Sequence, residues 1–513
     1  MLAKTFSAAV IGIDAYTVEV EVNATGDGEQ SFVSIVGLPD PAIKESRDRV
    51  RSSLQSSGFP HPRGATLINL APADLKKEGA AFDLAIALGM LAATGYIDRA
   101  KLAKTAIIGE LALDGSVRPV RGALPIAVKV SAEPGLEALL VPHYNAEEAA
   151  LAASGFPVYP VGSLREAVDY FNQGGCLPYK ADLKSYIRAA NGRDPDFAEV
   201  KGQAMARRAL EIAAAGGHNS LMIGPPGTGK SMIAARLSGI LPHMTLEETL
   251  ETSRIHSVLG LLSSGQPLLD RRPFRSPHHT ISDVGLIGGG KNPSPGEISM
   301  AHNGVLFLDE LPEFKRNVLE VLRQPLENGW VNVARAAGSY TFPAKFMLVA
   351  AMNPCPCGMM NPALGCRCKP NEVRKYRGRV SGPLLDRIDL HVEVPHLTQE
   401  ELLAAPCGEP SAKILERVVT ARATQAARFA GLGFYCNAHM TSKDLQKYCR
   451  IGMGEQMLLR HAINDFHLSP RAYDRILKVS RTIADLAQSP DILEEHLFEA
   501  INYRNFDRGG ESW

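Results

Sequence analysis

The chain has only eight cysteines in 513 residues, too few for a disulfide scaffold of that length. It has no excess of either charge, because 55 Lys and Arg balance 55 Asp and Glu. That balance excludes a generally basic coat for nucleic acid. It does not exclude a local basic face, since net charge reports the sum and not its distribution. Long apolar runs are missing too. The most apolar window, Gly79–Ile97, carries Asp83 and three glycines and reads as a buried helix instead of a membrane span. The N-terminus lacks a long apolar core ending in a small-residue cleavage site, so no signal peptide is expected. A cytoplasmic protein without membrane contact follows. Repeats and low-complexity runs are also lacking. What is present is 45% hydrophobic and 21% charged residues, the balance of a soluble globular chain. The length suits about three domains.

Residues 1 to about 175 read as mixed α/β. Tyr16–Val22 alternates at period two and Phe32–Val36 is a second strand. Pro41–Ser57 fits a helix with Ile43, Val50 and Leu54 apolar and Gly58 as its stop. Ala65–Leu70 reads as a strand and Phe82–Leu91 as a helix. The stretch 176–197 is polar and broken at Asp194-Pro195-Asp196, which suits a linker. From 198 to 395 apolar strands alternate with helical stretches, as in a parallel-sheet nucleotide domain. Beyond about 398 the pattern is helical. Ser469-Pro470 and Ser489-Pro490 each fit an N-cap followed by Pro at the first helical position. The tail Asp507–Trp513 is expected to fray.

Gly224-Pro225-Pro226-Gly227-Thr228-Gly229-Lys230-Ser231 fits G-x-x-x-x-G-K-[ST] in full. Leu221–Ile223 precedes it as a strand and Met232–Leu241 follows as an amphipathic helix. Glycines at these positions let backbone N–H groups curl around phosphates, which points to ATP. Lys230 would reach the β/γ-phosphates and the Ser231 hydroxyl would ligate Mg²⁺. Gly304–Glu310 is a buried apolar strand ending in two carboxylates. Asp309 would hold Mg²⁺ through water, and Glu310 would polarise the attacking water. The alternative is an acidic pair at a surface strand end.

The adjacent Asp-Glu pair resembles that of the additional-strand (AAA+) ATPases. A third strand, Phe346–Met352, ends in Asn353-Pro354, which resembles the sensor 1 position of that class. Gly382–Asp389 resembles the segment carrying its arginine finger, with Arg387 as the candidate; an intrachain pair with Asp386 or Asp389 is the other reading. Arg471, after Ser469-Pro470, resembles sensor 2, or is a solvated helix residue. With these pieces in order, nearly the whole chain is similar to the magnesium-chelatase-like AAA+ ATPases, and most to the YifB/ComM competence helicase family. Pro273–Thr280 with Gly285–Lys291 resembles the helix-2 insertion of that clade, and Val331–Ala344 the hairpin before sensor 1. The resemblance implies that both loops line a ring pore, with Lys291 and Arg335 as DNA contacts. Each could equally be a surface cation. The His278-His279 pair has no acidic or Cys neighbour in sequence and suits a hydrogen-bonding role.

Residues 66–142 resemble the proteolytic domain of Lon-type proteases, also found in the RadA recombination ATPase. Where that fold needs a Ser nucleophile and an activating Lys, this chain has Ala81 and Leu124. A methyl and an isobutyl group can neither attack nor deprotonate. The implied role is ring assembly and contact with duplex DNA. Lys44, Arg47, Arg49 and Arg51 could contribute, although Glu45 and Asp48 among them suit a solvated helix face better.

Cys355, Cys357, Cys366 and Cys368 offer four thiolates within 14 residues, enough for tetrahedral Zn²⁺ in a closed site. The C-x-C spacing departs from the common C-x-x-C knuckle, and reduced free thiols, a disulfide or an iron–sulfur cluster remain alternatives. Arg367–Arg379 then holds six cations, Arg367, Lys369, Arg374, Lys375, Arg377 and Arg379. They suit phosphate contact or pairing with a neighbouring subunit.

The expected fold is therefore α/β: a P-loop AAA+ core with a helical lid, preceded by an α+β Lon-protease-like domain of the ribosomal S5 domain 2 type. The expected division is 1–175 for that first domain without its dyad, 176–197 linker, 198–395 AAA+ core with the Cys insertion at 355–368, 396–506 lid, and 507–513 tail. The expected function is an ATP-dependent homo-hexameric translocase or helicase on single-stranded or branched DNA, promoting branch migration in recombination during natural transformation. The alternative is the motor subunit of a metal-chelatase-type complex.

Overall fold

The computed structural model describes residues 1–25, 32–75, 77, 79–174, 176–181, 195–263, 265–290, 293–335, 338–360, 365–403, 408–466 and 469–504. The chain forms two compact units. The first is Met1–Ala190 together with Leu246–Asp270, and the second is Asn191–Thr245 with Arg271–Trp513. A segment of the stretch read as ATPase core thus folds with the first unit.

The first unit is built on a mixed seven-stranded sheet. Its strands are β1 (Leu2–Ile11), β2 (Asp14–Ala24), β3 (Phe32–Val36), β4 (Ala65–Ala71), β5 (Thr105–Ile107), β6 (Ala138–Pro142) and β7 (Val158–Val161). They lie in the order β3-β4-β2-β1-β5-β6-β7. In β2 the period-two pattern buries Val18, Val20, Val22 and Ala24 on one face. The helix Pro41–Ser56 begins where expected: the Asp40 carboxylate accepts from the Ile43 amide at 2.8 Å and Pro41 stands in the first turn. The helix Asp83–Ala93 is buried at every position, which accounts for the apolar window. Its one charge is matched, because Arg49 Nε donates to Asp83 Oδ2 at 2.7 Å and Nη2 to Oδ1 at 3.1 Å. Arg49 therefore turns inward and is not part of a solvated basic face. Among the described residues no helix is long and apolar enough to cross a membrane.

The helix Leu246–Val258 packs on the helix Ala123–Ser131 of the same unit. The Gly122 amide donates to the Ser257 carbonyl at 3.0 Å, and Leu124, Leu151 and Leu268 bury together. The Glu148 carboxyl lies in this joint, 3.4 Å from Asn145 Nδ2 and 3.5 Å from Ser257 Oγ. Burial pushes it up to about 7, against the pull of those hydrogen bonds. A carboxyl raised this way binds its proton more tightly folded than unfolded. Its contribution is full below its ordinary value of 4.5 and is lost as pH rises through about 7. The span corresponds to roughly 3 kcal/mol. Calorimetric melting from pH 5 to 8.5 should show the wild type losing stability across this window. Glu148→Gln should flatten the loss and melt higher than wild type at pH 8; parallel curves for the two would refute the assignment.

The second unit holds a five-stranded, wholly parallel sheet. Its strands are β8 (Ser220–Ile223), β9 (Phe274–Arg275), β10 (Val305–Leu308), β11 (Met347–Met352) and β12 (Leu390–Glu393), in the order β9-β10-β11-β8-β12. β8, β10 and β11 are buried throughout, as parallel strands covered on both faces should be. The helix after the loop at 224–229 is shorter than its pattern suggests. It runs Lys230–Ala235 and tightens into a 3₁₀ turn over Arg236–Ile240, with Ile233, Ala234, Leu237 and Ile240 buried. The C-terminal part is helical. Ser469 caps the helix Pro470–Leu486 by accepting from the Ala472 amide at 3.2 Å. Ser489-Pro490 opens no helix. The Ser489 amide closes the preceding helix on the Ala484 carbonyl at 2.8 Å, after Gln488 at φ +55°, and the next helix is Glu494–Asn502. Pro490 there is a proline beyond a helix C-terminus, not a starter.

Candidate functional site

The C-terminal ends of β8, β11 and β10, three adjacent strands, carry the expected phosphate loop, Asn353 and the Asp309-Glu310 pair. An open parallel sheet places its ligand crevice at such an edge. The loop leaves β8 at Gly224, whose position admits no side chain: a Cβ there would lie 2.1 Å from the Val394 carbonyl oxygen. Gly227 and Gly229 adopt φ +79° and +87°, a left-handed conformation that L side chains resist. The Thr228 hydroxyl closes the turn on the Pro225 carbonyl at 3.0 Å.

Lys230 is buried. Its Nζ donates to the carbonyls of Gly224 and Pro225 at 2.7 and 2.8 Å and to Asn353 Oδ1 at 3.3 Å. Burial lowers its pKa, and Asp309 opposes that shift. The Ser231 hydroxyl donates to the Asp309 carboxylate. These two oxygen donors from different elements are already side by side, and an all-oxygen pair suits a hard cation such as Mg²⁺. Glu310 follows in the left-handed region at φ +52°, which holds about 1–3 kcal/mol of strain in a non-glycine residue. Its carboxylate lies 3.3 Å from His279 Nδ1. The acid missing beside the His pair in sequence is thus supplied by the fold.

The remaining site residues are distributed as follows. Arg387 is buried and paired within the chain, to the Glu327 carboxylate and the Pro383 carbonyl, and not to Asp386 or Asp389. Asp389 is taken by Arg475 and by His218 at 3.4 Å. Burial alone would raise its carboxyl, but Arg475 and His218 hold it well below its ordinary range. Arg471 is exposed and lies 3.8 Å from Asp386. Arg335 ends the first strand of the hairpin Trp330–Arg335/Gly338–Pro343, paired with Gly338. Lys291 lies outside the described residues.

The four cysteine sulfurs converge within 4.8 Å of one another. Cys355 Sγ is 3.4 Å from Cys357 Sγ and 3.8 Å from Cys366 Sγ, and Cys357 and Cys366 are 3.5 Å apart. A tetrahedral Zn–S bond of about 2.3 Å gives sulfur–sulfur edges of about 3.8 Å, so the cluster could hold a metal ion such as zinc. The Met360 amide donates to Cys355 Sγ at 3.2 Å. The basic run beyond the cluster divides. Arg377 Nε donates to the Pro354 carbonyl at 2.9 Å and Arg379 pairs with Glu313 at 2.9 Å, while Arg367, Lys369, Arg374 and Lys375 are exposed. Composition alone does not reveal that division.

A G-x-x-x-x-G-K-S loop and a strand-end Asp-Glu pair on one parallel sheet are the marks of a P-loop protein of the AAA+ type. Family models described as "Magnesium chelatase, subunit ChlI", "Subunit ChlI of Mg-chelatase" and "Magnesium chelatase, subunit ChlI C-terminal" match residues 196–402, 18–145 and 408–504. The chain is 44% identical over 508 residues to "Competence protein ComM" of Haemophilus influenzae, covering 98% of this chain and 97% of that one. It is 42% identical over 511 residues to "Uncharacterized protein YifB" of Escherichia coli, covering 99% and 98%. Similarity to "Magnesium-chelatase subunit ChlI" of Euglena gracilis is 23% over 203 residues, or 36% of this chain and 52% of that one. The chain belongs to the magnesium-chelatase-like AAA+ ATPases, in the ComM/YifB family.

Proposed function

We propose that the protein is an ATP-driven DNA translocase that works as a homo-hexameric ring on single-stranded or branched DNA and promotes branch migration in recombination during natural transformation. One observation carries the reading. The phosphate loop, Asp309-Glu310 and Asn353 meet at one sheet edge in a chain similar from end to end to a competence protein.

In this reading the backbone N–H groups of Gly224–Gly229 cradle the ATP phosphates and Lys230 leaves its own loop carbonyls for the β/γ-phosphates. Ser231 and Asp309 hold Mg²⁺, which supplies charge neutralisation on the phosphates. Glu310 polarises the attacking water and Asn353 orients it against the γ-phosphate. Arg387, freed from Glu327, acts on the nucleotide of the neighbouring subunit, and Arg471 completes the site from the lid. Lys291 and Arg335 touch DNA in the pore, with the exposed Arg367, Lys369, Arg374 and Lys375 adding salt-dependent affinity. The first unit is a Lon-protease-like domain that assembles the ring and meets duplex DNA. Ala81 and Leu124 leave it without proteolytic chemistry. Zn²⁺ on the four cysteines is structural, and the protein is cytoplasmic.

The chelatase description of the model over 196–402 favours a second reading, an ATP-driven motor subunit that serves a metal-inserting partner. One titration separates the two. ATPase activity should rise with single-stranded or forked DNA, and binding should weaken by at least tenfold, in order of magnitude, from low to physiological salt. Absence of DNA binding at low salt in every nucleotide state rejects the translocase, and stimulation by porphyrin with a partner subunit would establish the chelatase motor.

A further inference from the structure

The cysteine cluster touches the nucleotide loop at two points. Gly358, within the turn that follows Cys357, sits against the Pro226 ring: a Cβ at Gly358 would meet Pro226 Cδ at 2.5 Å and Cγ at 3.0 Å. Gly358 also adopts φ +86°, so the close approach and the backbone both call for glycine. The second point is Asn353, two residues before Cys355. Its Oδ1 accepts from Lys230 at 3.3 Å. The backbone beside it is held by Arg377, whose Nε donates to the Pro354 carbonyl at 2.9 Å. The other flank of the phosphate loop is fixed by the close approach of Gly224 to Val394. The loop is therefore held between a rigid strand end and the cysteine turn.

The turn has hydrogen bonds of its own, from the Gly358 amide to the Cys355 carbonyl at 2.9 Å and from the Met360 amide to Cys355 Sγ at 3.2 Å. Cys355 is buried, but Cys357 is exposed and Cys366 and Cys368 are half-buried. Thiol–thiol hydrogen bonds are weak, whereas a closed tetrathiolate site contributes folding energy directly. A metal held there would displace the thiol protons and tie Cys355 and Cys357 to Cys366 and Cys368. Gly358 and the Asn353 backbone would then be fixed together.

We propose that the metal-loaded Cys355/Cys357/Cys366/Cys368 cluster is a clamp that sets the conformation of the phosphate loop, so that metal occupancy and nucleotide affinity are coupled. The inference rests on the zinc and nucleotide readings above and adds their linkage. A pre-organised loop binds its ligand more tightly than one that must be ordered first. Coupling is also reciprocal: if zinc strengthens nucleotide binding by some factor, nucleotide strengthens zinc binding by the same factor.

The test uses the full-length chain. Metal content is counted by mass spectrometry, and binding of a fluorescent ATP analogue is titrated before zinc stripping, after it, and after zinc is returned. Stripped protein should bind roughly tenfold more weakly and recover with one equivalent of zinc. Saturating ATP should lower zinc transfer to a competing chelator by the same factor. Gly358→Ala should keep its zinc yet bind nucleotide weakly, because the added methyl displaces Pro226. Should that variant fail to fold, the reciprocal measurement on unmodified protein decides. Protein that carries no zinc removes the zinc reading and the clamp with it. Protein that carries zinc but binds nucleotide equally with and without it overturns the clamp alone.

Discussion

Lys230→Ala is expected to lower ATP hydrolysis by about three orders of magnitude and to weaken nucleotide binding by roughly ten- to a hundredfold. The hydrolysis term is larger because the ammonium, buried at the loop, is asked to meet charge that develops in the transition state. The binding term follows from one lost charge-assisted hydrogen bond, about 1.5–3 kcal/mol. A second effect is peculiar to this loop. Lys230 Nζ bridges the carbonyls of Gly224 and Pro225 and the side chain of Asn353. Alanine leaves all three acceptors without that donor, so the loop should also loosen. Lys230→Arg keeps the charge but brings a planar fork to a position that holds a compact ammonium between two carbonyls, and it too should fail. Single-turnover hydrolysis beside equilibrium titration with a fluorescent analogue separates the two terms. Hydrolysis by Lys230→Ala within tenfold of wild type would remove the phosphate-loop assignment.

The parts of the site that were legible in sequence are those whose geometry is local. A strand, a glycine turn and a helix start are contiguous at 220–231, so their spacing carries the cradle. The apolar run at 304–310 carries its own carboxylates to a strand end. The strand before Asn353 is read the same way. What sequence could not show are partners fixed by packing between distant segments. Glu310 meets His279, Arg387 meets Glu327, and Pro226 meets Gly358. Each pair is joined only once the parallel sheet orders its strands out of sequence. The same holds for the cations at 367–379: the run looks uniform until the fold sets Arg377 on the Pro354 carbonyl and Arg379 beside Glu313. The helix Leu246–Val258 is the largest case. Its hydrophobic patterning is weak, its buried side is mostly Thr, Ser and His, and nothing in it states that this side belongs to the first unit.

Glu310→Gln should bind ATP within about twofold of wild type yet hydrolyse it about a hundred- to a thousandfold more slowly. The substitution keeps shape and removes only the charge, which is what polarises a water. Its structural side effects are small for identifiable reasons. The left-handed backbone at φ +52° is strained by glutamate and glutamine alike, so the strain is unchanged. The lost pairing with His279 joins a half-exposed imidazole to a more exposed carboxylate, and a pair that wet contributes about 1 kcal/mol or less. Slow turnover with intact binding has a consequence for assembly. If ATP joins subunits through Arg387 acting on a neighbour, a variant that cannot clear its nucleotide should stay assembled, seen by mass photometry as hexamers that persist after dilution in ATP. Arg387→Ala placed in the same Glu310→Gln background should bind nucleotide and dissociate. Normal hydrolysis by Glu310→Gln would place the water-polarising group elsewhere, and His279, the imidazole that shares this corner of the site, would be the next residue to replace.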